Sequence, residues 1–563
     1  MNHIKQLWAS CMIACIALFP LDSFAQTYDD LNDQADKEYE ANNYQKAIDL
    51  CNRSMNMQSN ARSYLIRADC RYSLNDFEAA LGDYNYAINN YSNYYTTDKF
   101  KGRLYYWRGR TKQKLKQYDD AIADLSASFT YNYDEPGYTY WNRGNCYYEL
   151  GKYQEADDDY AKGIDRLSKS EDLAKLYKYR GDCKGHLYKY EDAESMYTRA
   201  IGYDANFYNA YWSRGYYRYM NVKDEDAMDD YKKAIAIIES THGDNSDLAI
   251  VYRNIALLHS TNKRYDEALE NINKSLTADP NYINGFLTRS EIYQKMKKFD
   301  KAKVDYDNAM TLETDDSKLA DMYFERSYKL DWKALDYKSA LEDLNKSISM
   351  NQKDGMMYWH RAITYDYKKD YVNALADINK SIILYGDKPA YGQYTFRASI
   401  KEKSGDIKGA IGDYQAALKI DNKTAYIYYN LGRLFKTKQI NNDLAQTNLI
   451  KAIDISKDEA TSAMGAYAKV VNGQSAEAIQ FVLDKVQKYK DDDYEYPRQL
   501  HNAACIYALA GNKVKALEYL DKSLAAGYDD YDHLVNDRDL ISITLLPQYK
   551  VILAKYKVPQ PKW

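Results

Sequence analysis

Histidine and cysteine are scarce in this chain, and what there is lies scattered. Seven histidines are spread over 563 residues (His3, His186, His242, His259, His360, His501, His533), no two at metal-ligand spacing, and there is no paired-cysteine motif. No glycine-rich phosphate loop and no nucleophile elbow is present. Neither a catalytic residue, a metal nor a cofactor is therefore expected, and the chain reads as a non-enzyme. The acidic runs Asp157–Asp159 and Asp491–Asp493 lack the alternating spacing of a calcium loop and read as solvated surface. A basic excess is also missing. The formal net charge is -5, which argues against a nucleic-acid partner. Beyond the N-terminus no stretch is apolar enough to cross a membrane. Phenylalanine is rare at 12 residues, whereas tyrosine reaches 62, as suits thin helical layers whose core residues have one end near water.

The N-terminus carries a targeting pattern. Lys5 precedes a 12-residue apolar run, Leu7–Leu18, too short to span a bilayer. Pro20 breaks the run, and Ser23-Phe24-Ala25 resembles a signal-peptidase site. Residues 1–25 are thus expected to be a signal peptide with Gln26 as the new terminus, and the protein to be exported, periplasmic or extracellular, with envelope association open. Acylation at Cys11 or Cys15 is the weaker reading, because the apolar run before either is short. Removal leaves five cysteines, Cys51, Cys70, Cys146, Cys183 and Cys505. An odd, widely spaced set is no disulfide framework, although a Cys51–Cys70 bridge stays open.

What fills the chain is a period of about 34 residues. From Tyr138 to Ile164 the sequence reads YTYWNRGNCYYELGKYQEADDDYAKGI. Trp141, Gly144, Tyr148 and Leu150 recur at helical spacing, a turn follows at Gly151-Lys152, and Tyr153, Ala156, Tyr160 and Gly163 recur likewise. That predicts two short amphipathic helices folded back on each other, with Gly144 and Ala156 where the backbones approach. The pair of small residues, usually 12 apart, returns fourteen times from Ala35/Ala47 to Ala504/Ala516. In the ninth and twelfth repeats it is 13 apart, which predicts a one-residue insertion in the turn. This pattern resembles the tetratricopeptide repeat family. The resemblance implies an all-α, right-handed superhelical α-solenoid of about fourteen helix-turn-helix repeats with a C-terminal capping helix. The expected divisions are a first part of the array at 26–240, a hinge loop at 241–247, a second part at 248–525, and capping helices with a frayed tail at 526–563.

A covariation runs through the repeats. One residue before the small residue of the first helix, nine repeats carry arginine, and eight of the nine carry aspartate three residues after the alanine of the second helix. The pairs are Arg67–Asp83, Arg108–Asp124, Arg143–Asp159, Arg214–Asp230, Arg289–Asp305, Arg326–Asp343, Arg361–Asp377 and Arg397–Asp413. Arg180 faces Met196 instead, and the five repeats without the arginine also lack the aspartate. A half-buried guanidinium without a carboxylate is costly, so structural interhelix ion pairs are expected rather than a ladder for an anionic ligand. Arg180-Gly181-Asp182 spells an adhesion tripeptide, but it falls within a predicted helix.

In the tetratricopeptide family the inner face, lined by first helices, holds a peptide or a partner helix. Carried over by position, the groove residues are Tyr106, Arg110, Trp141, Asn145, Tyr148, Trp212, Tyr216, Tyr219, Phe324, Tyr328, Trp359 and Tyr367. Trp141, Trp212 and Trp359 share one groove position. The resemblance thus implies a protein-protein interaction scaffold with a protein or peptide partner. The alternative is glycan or peptidoglycan binding through the aromatic row, set against packing of those rings on neighbouring helices. The family's clamp for a peptide carboxylate is in doubt, because Asp182 follows Arg110 and Asn145 where a basic or amide residue is needed.

Overall fold

The computed structural model describes residues 27–90, 98–386, 390–457 and 462–563. The signal-peptide expectation at 1–25 lies outside them. Contacts divide the chain into two compact units, Met1–Asp279 and Pro280–Trp563, each an α-solenoid of antiparallel helix pairs. No described helix is long and apolar enough to cross a membrane.

The fourth repeat shows why these residues make a pair. Its first helix spans Pro136–Glu149, with proline in the first turn, where a missing amide hydrogen costs nothing. Leu150, Gly151 and Lys152 form the turn, with Gly151 at φ +71°. The second helix runs Tyr153–Ile164. The small residue answers a side chain of the second helix and, in several repeats, the alanine carbonyl as well, which a Cβ would meet at 3.1 Å at Gly215 and 3.0 Å at Gly432. A Cβ at Gly144 would lie 2.7 Å from the ring of Tyr160, one at Gly181 2.7 Å from Tyr197, and one at Gly215 2.9 Å from Tyr231. These tyrosines sit four residues after the alanine of the second helix and are almost fully buried. Six of the fourteen repeats place a tyrosine there to fill the pair core, and the hydroxyls of Tyr160 and Tyr197 reach polar partners. Tyr160 donates to Asn145 Oδ1 at 2.9 Å and Tyr197 to Asp182 Oδ1 at 2.7 Å.

The two insertions are absorbed differently. In the twelfth repeat the extra residue lengthens the turn between Ala425–Thr437 and Asn442–Ile455. In the ninth it stays in the first helix, which widens into a π-helical turn at Ser327–Asp331. The expected hinge at 241–247 is a short turn inside the first unit. Its extra residues lengthen the flanking helices, Asp224–Ser240 and Asn245–Thr261, and the unit boundary falls at Pro280 instead. All five cysteines in the described residues are buried and free, so Cys51 and Cys70 form no bridge.

Beyond the last pair, Glu495–Leu509 and Lys513–Ala525, the chain makes short helices at Tyr531–Asn536, Ile541–Thr544 and Pro547–Lys555. They cover the last pair and bury Leu534, Leu540 and Ile543 completely. The tail is not frayed. Lys562 N donates to Leu335 O at 2.7 Å, Tyr337 N donates to Lys562 O at 3.0 Å, and Trp563 stacks on Tyr337 at 4.5 Å.

Candidate functional site

The eight arginine–aspartate pairs share one geometry. In each, Nε donates to Oδ2 and Nη2 to Oδ1 of the aspartate, all at 2.6–2.9 Å. The carboxylates are 2–6% exposed. Such bidentate charge-assisted bonds hold the first and second helices of one repeat in register. The third guanidinium nitrogen of seven of them reaches the preceding repeat, to Asn52, Asn85, Ser126, Thr198, Asp307, Asn345 or Asn379. Each of those residues lies five after its alanine, a polar position that the covariation does not include but the same alignment contains. One arginine thus ties two helices of its own repeat to a third helix, and the guanidinium is used up in the fold.

Arg180, without an aspartate in its own repeat, donates to Asp157 of the preceding one at 2.6 Å, with Lys184 on the same carboxylate. Asp157 and Asp159 are accordingly buried at 3% and 2% rather than solvated. The tripeptide Arg180-Gly181-Asp182 lies inside the helix Ser170–His186 with all three residues engaged.

In the first unit the groove positions frame a polar trough of about 510 Å³ across the third, fourth and fifth repeats. Arg110, Asn145 and Tyr148 line it. So do Lys114, Lys116 and Glu149, together with Lys178, Tyr179 and Asp182 of the fifth repeat, where Lys178 stands at the position that Trp141 holds in the fourth and no ring marks it. Arg110 lies over the Trp107 ring at 4.7 Å, so its cation is presented from an aromatic bed. Tyr148 pairs with His186 at 2.9 Å, and Lys178 with Asp182 at 2.8 Å. Cations and anions thus both line the trough, beside the amides of Gln113, Asn142 and Asn145.

Of the other proposed positions Tyr106 is buried, while Trp141, Trp212, Tyr216, Tyr219 and Trp359 are half-buried and also pack against neighbouring helices. Tyr106 is 3% exposed and accepts from Asn142 at 3.2 Å. Trp141 packs between Tyr138 and Tyr179. Trp212 packs in the sixth repeat and donates to Asn209 at 2.8 Å. Trp359 is wedged against Gly392, 3.1 Å from where a Cβ would stand. The row is a set of helix-to-helix wedges, with Trp141 and Trp212 in one unit and Trp359 in the other. Tyr216 rests edge-on against Tyr217, and Tyr219 pairs with Thr261 at 2.6 Å.

In the second unit the corresponding face is already covered. Phe324, Tyr328, Trp332 and His360 form an aromatic cluster that continues through Tyr367 to Tyr337. The C-terminal segment lies on it. Tyr367 donates to Asp532 at 3.3 Å, Asn536 donates to Tyr337 at 2.8 Å, Lys297 donates to Tyr531, and Trp563 closes the end.

Beneath this cluster the π-helical turn buries Asp331 at 2% exposure. Burial, and then the neighbouring Asp343 carboxylate, push its carboxyl up to about 8. A carboxyl raised above its unfolded value of about 3.9 contributes stability that is fully present below that value and lost as pH rises through the folded one. The melting temperature of Asp331→Asn relative to the parent is therefore expected to rise between about pH 5 and about pH 8. A difference that is the same at both ends contradicts the buried neutral carboxyl.

Family models match the repeat pattern: those described as tetratricopeptide repeat match residues 106–170 and 210–281, and one described as TPR repeat matches 402–439. A TPR repeat-containing protein of Methanocaldococcus jannaschii is 23% identical over 164 residues, 28% of this chain and 28% of that relative. Among solved structures, the C-terminal part of a TPR repeat-containing protein from Cytophaga hutchinsonii is 20% identical, covering 46% of this chain and 98% of its own, with a TM-score of 0.38. Yeast Tom70 is 14% identical, covering 84% and 98%, with a TM-score of 0.35.

Proposed function

The chain is a tetratricopeptide-repeat protein, and we propose that it is a non-enzymatic scaffold that binds an extended segment of a partner protein in the trough of its first unit. The observation that carries this reading is the contrast between the two units. The face of the second unit carries a short helix and an extended tail of the same chain. The trough lined by Arg110, Asn145, Tyr148, Lys178 and Asp182 carries no such segment among the described residues. An extended backbone offers donors and acceptors to Asn145 and Tyr148, and a partner side chain of either sign meets an opposite charge. The tryptophan row is half-buried and packed on neighbouring side chains, and nothing supports the glycan alternative.

Charge reversal tests the site. Arg110→Glu combined with Lys178→Glu is expected to lose at least tenfold of a captured partner, whereas Lys162→Glu on a second helix retains it. Equal capture by both removes the trough from the account. We further propose export with cleavage after Ala25. Sequencing the N-terminus of protein purified from its native host is expected to read from Gln26, and an intact Met1 contradicts it.

A further inference from the structure

The C-terminal segment meets the last repeat at a cluster whose residues come from two separate stretches. His501 and Cys505 stand one turn apart on the helix Glu495–Leu509, and Asp537 follows the short helix Tyr531–Asn536. His501 Nε2 lies 3.0 Å from Asp537 Oδ2 and 3.5 Å from Cys505 Sγ, and Sγ lies 3.2 Å from the same Oδ2. The side chains are nearly solvent-free, at 2% exposure for His501 and 0% for Cys505.

A nucleophile–base–acid relay does not fit these atoms. It needs thiol and carboxylate on opposite ring nitrogens, and a thiol that a substrate reaches. Here both meet Nε2, the thiol is buried, and Nδ1 is buried without a hydrogen-bond partner among the described residues. Three ligand atoms of different chemistry converge on one point instead. Tetrahedral zinc, with Zn–N and Zn–O near 2.0–2.1 Å and Zn–S near 2.3 Å, sets ligand–ligand edges of about 3.3–3.6 Å. The three separations lie within about 0.4 Å of those edges. A dication with one thiolate and one carboxylate is also neutral, which suits an interior that does not tolerate net charge. Toward solvent the cluster opens on His533, 55% exposed, whose Nδ1 is 3.8 Å from Asp537 Oδ2.

We propose that His501 Nε2, Cys505 Sγ and Asp537 Oδ2 bind a zinc ion that staples the C-terminal segment to the last repeat. The choice of metal follows the donor set, since thiolate with imidazole and carboxylate favours zinc over the hard cations. Through Asp537 the ion fixes the chain just after Tyr531–Asn536, the helix that lies on the aromatic face of the second unit.

The test uses the full chain, stripped with chelator, reloaded with zinc chloride and desalted. One zinc per chain and a raised melting temperature are expected. Cobalt substitution is expected to give visible bands of a tetrahedral site with a near-ultraviolet thiolate transition. Cys505→Ser and Asp537→Asn are each expected to bind at least about tenfold more weakly, while Cys146→Ser, a buried thiol of the first unit, binds like the parent. Circular dichroism of each metal-free variant establishes that it is folded. No retained zinc in the parent overturns the proposal, and so does zinc retained equally by folded Cys505→Ser and Asp537→Asn. Partner capture is measured separately and does not bear on this outcome.

Discussion

Arg326→Ala is expected to lower the stability of the second unit by about 3–5 kcal/mol, the range for breaking a buried ion pair from one side. Arg326 is the most deeply buried of the eight paired arginines, at 7% exposure, and its three donor groups are all used. Nε and Nη2 bind Asp343 at 2.6 Å each, and Nη1 binds Asp307 of the preceding repeat. Removing it leaves Asp343 as an uncompensated charge, 4% exposed, beside the equally buried Asp331. Asp343→Ala strands the guanidinium in the same way. The double variant Arg326→Ala with Asp343→Ala removes both charges and is expected to cost clearly less than the sum of the singles. Urea unfolding of the full chain checks this, and additive changes contradict the pairing.

The next largest effect is expected in the C-terminal segment. Leu540→Ala removes a side chain with no exposed surface and is expected to cost about 2–5 kcal/mol. A merely decorative tail tolerates that change. A segment that completes the second unit does not, because Leu540 shares a core with Tyr467, Ala504 and Leu534. Hydrogen exchange separates the two readings. In the variant, amides of Tyr531–Asn536 and those around Leu335–Tyr337 are expected to exchange faster together, since Lys562 bonds directly to Leu335 and Tyr337. Unchanged exchange at Leu335–Tyr337 contradicts the coupling.

How much of this was legible depends on whether a feature repeats. Fourteen copies of one motif act as an internal alignment, so Arg67–Asp83 and its seven counterparts stand out as a correlated pair before any geometry is known. The third partner, such as Asn52 or Ser126, was legible by the same device, but Asn, Ser, Thr and Asp alternate there and blur the signal. Gly144 was legible as a small residue but not the reason for it, because Tyr160 fills the space from the other helix. The insertions of the ninth and twelfth repeats have equal length, yet one becomes a π-helical turn and the other a longer loop, a choice made by packing. Features that occur once escaped. Tyr367 and Asp532 are 165 residues apart, and nothing in a 34-residue period links them. The cluster of His501, Cys505 and Asp537 joins a repeat to a non-repeating segment, so the spacing of His501 and Cys505 is legible but Asp537, 32 residues on, is not. The tryptophan row stays two-sided for a related reason. Its residues share a position, but that position faces the next helix as much as the groove.

Site-specific photo-crosslinking tests the central claim most directly. A photoreactive residue is placed at Tyr148 in the trough, or at the exposed Gln154 on the second helix of the same repeat, and the full chain is irradiated in its native extract. Tyr148 is expected to yield a discrete adduct with one partner protein, competed away by a peptide from the crosslinked partner segment, while Gln154 yields none. Adducts from Gln154 alone contradict a scaffold that binds through the trough of its first unit.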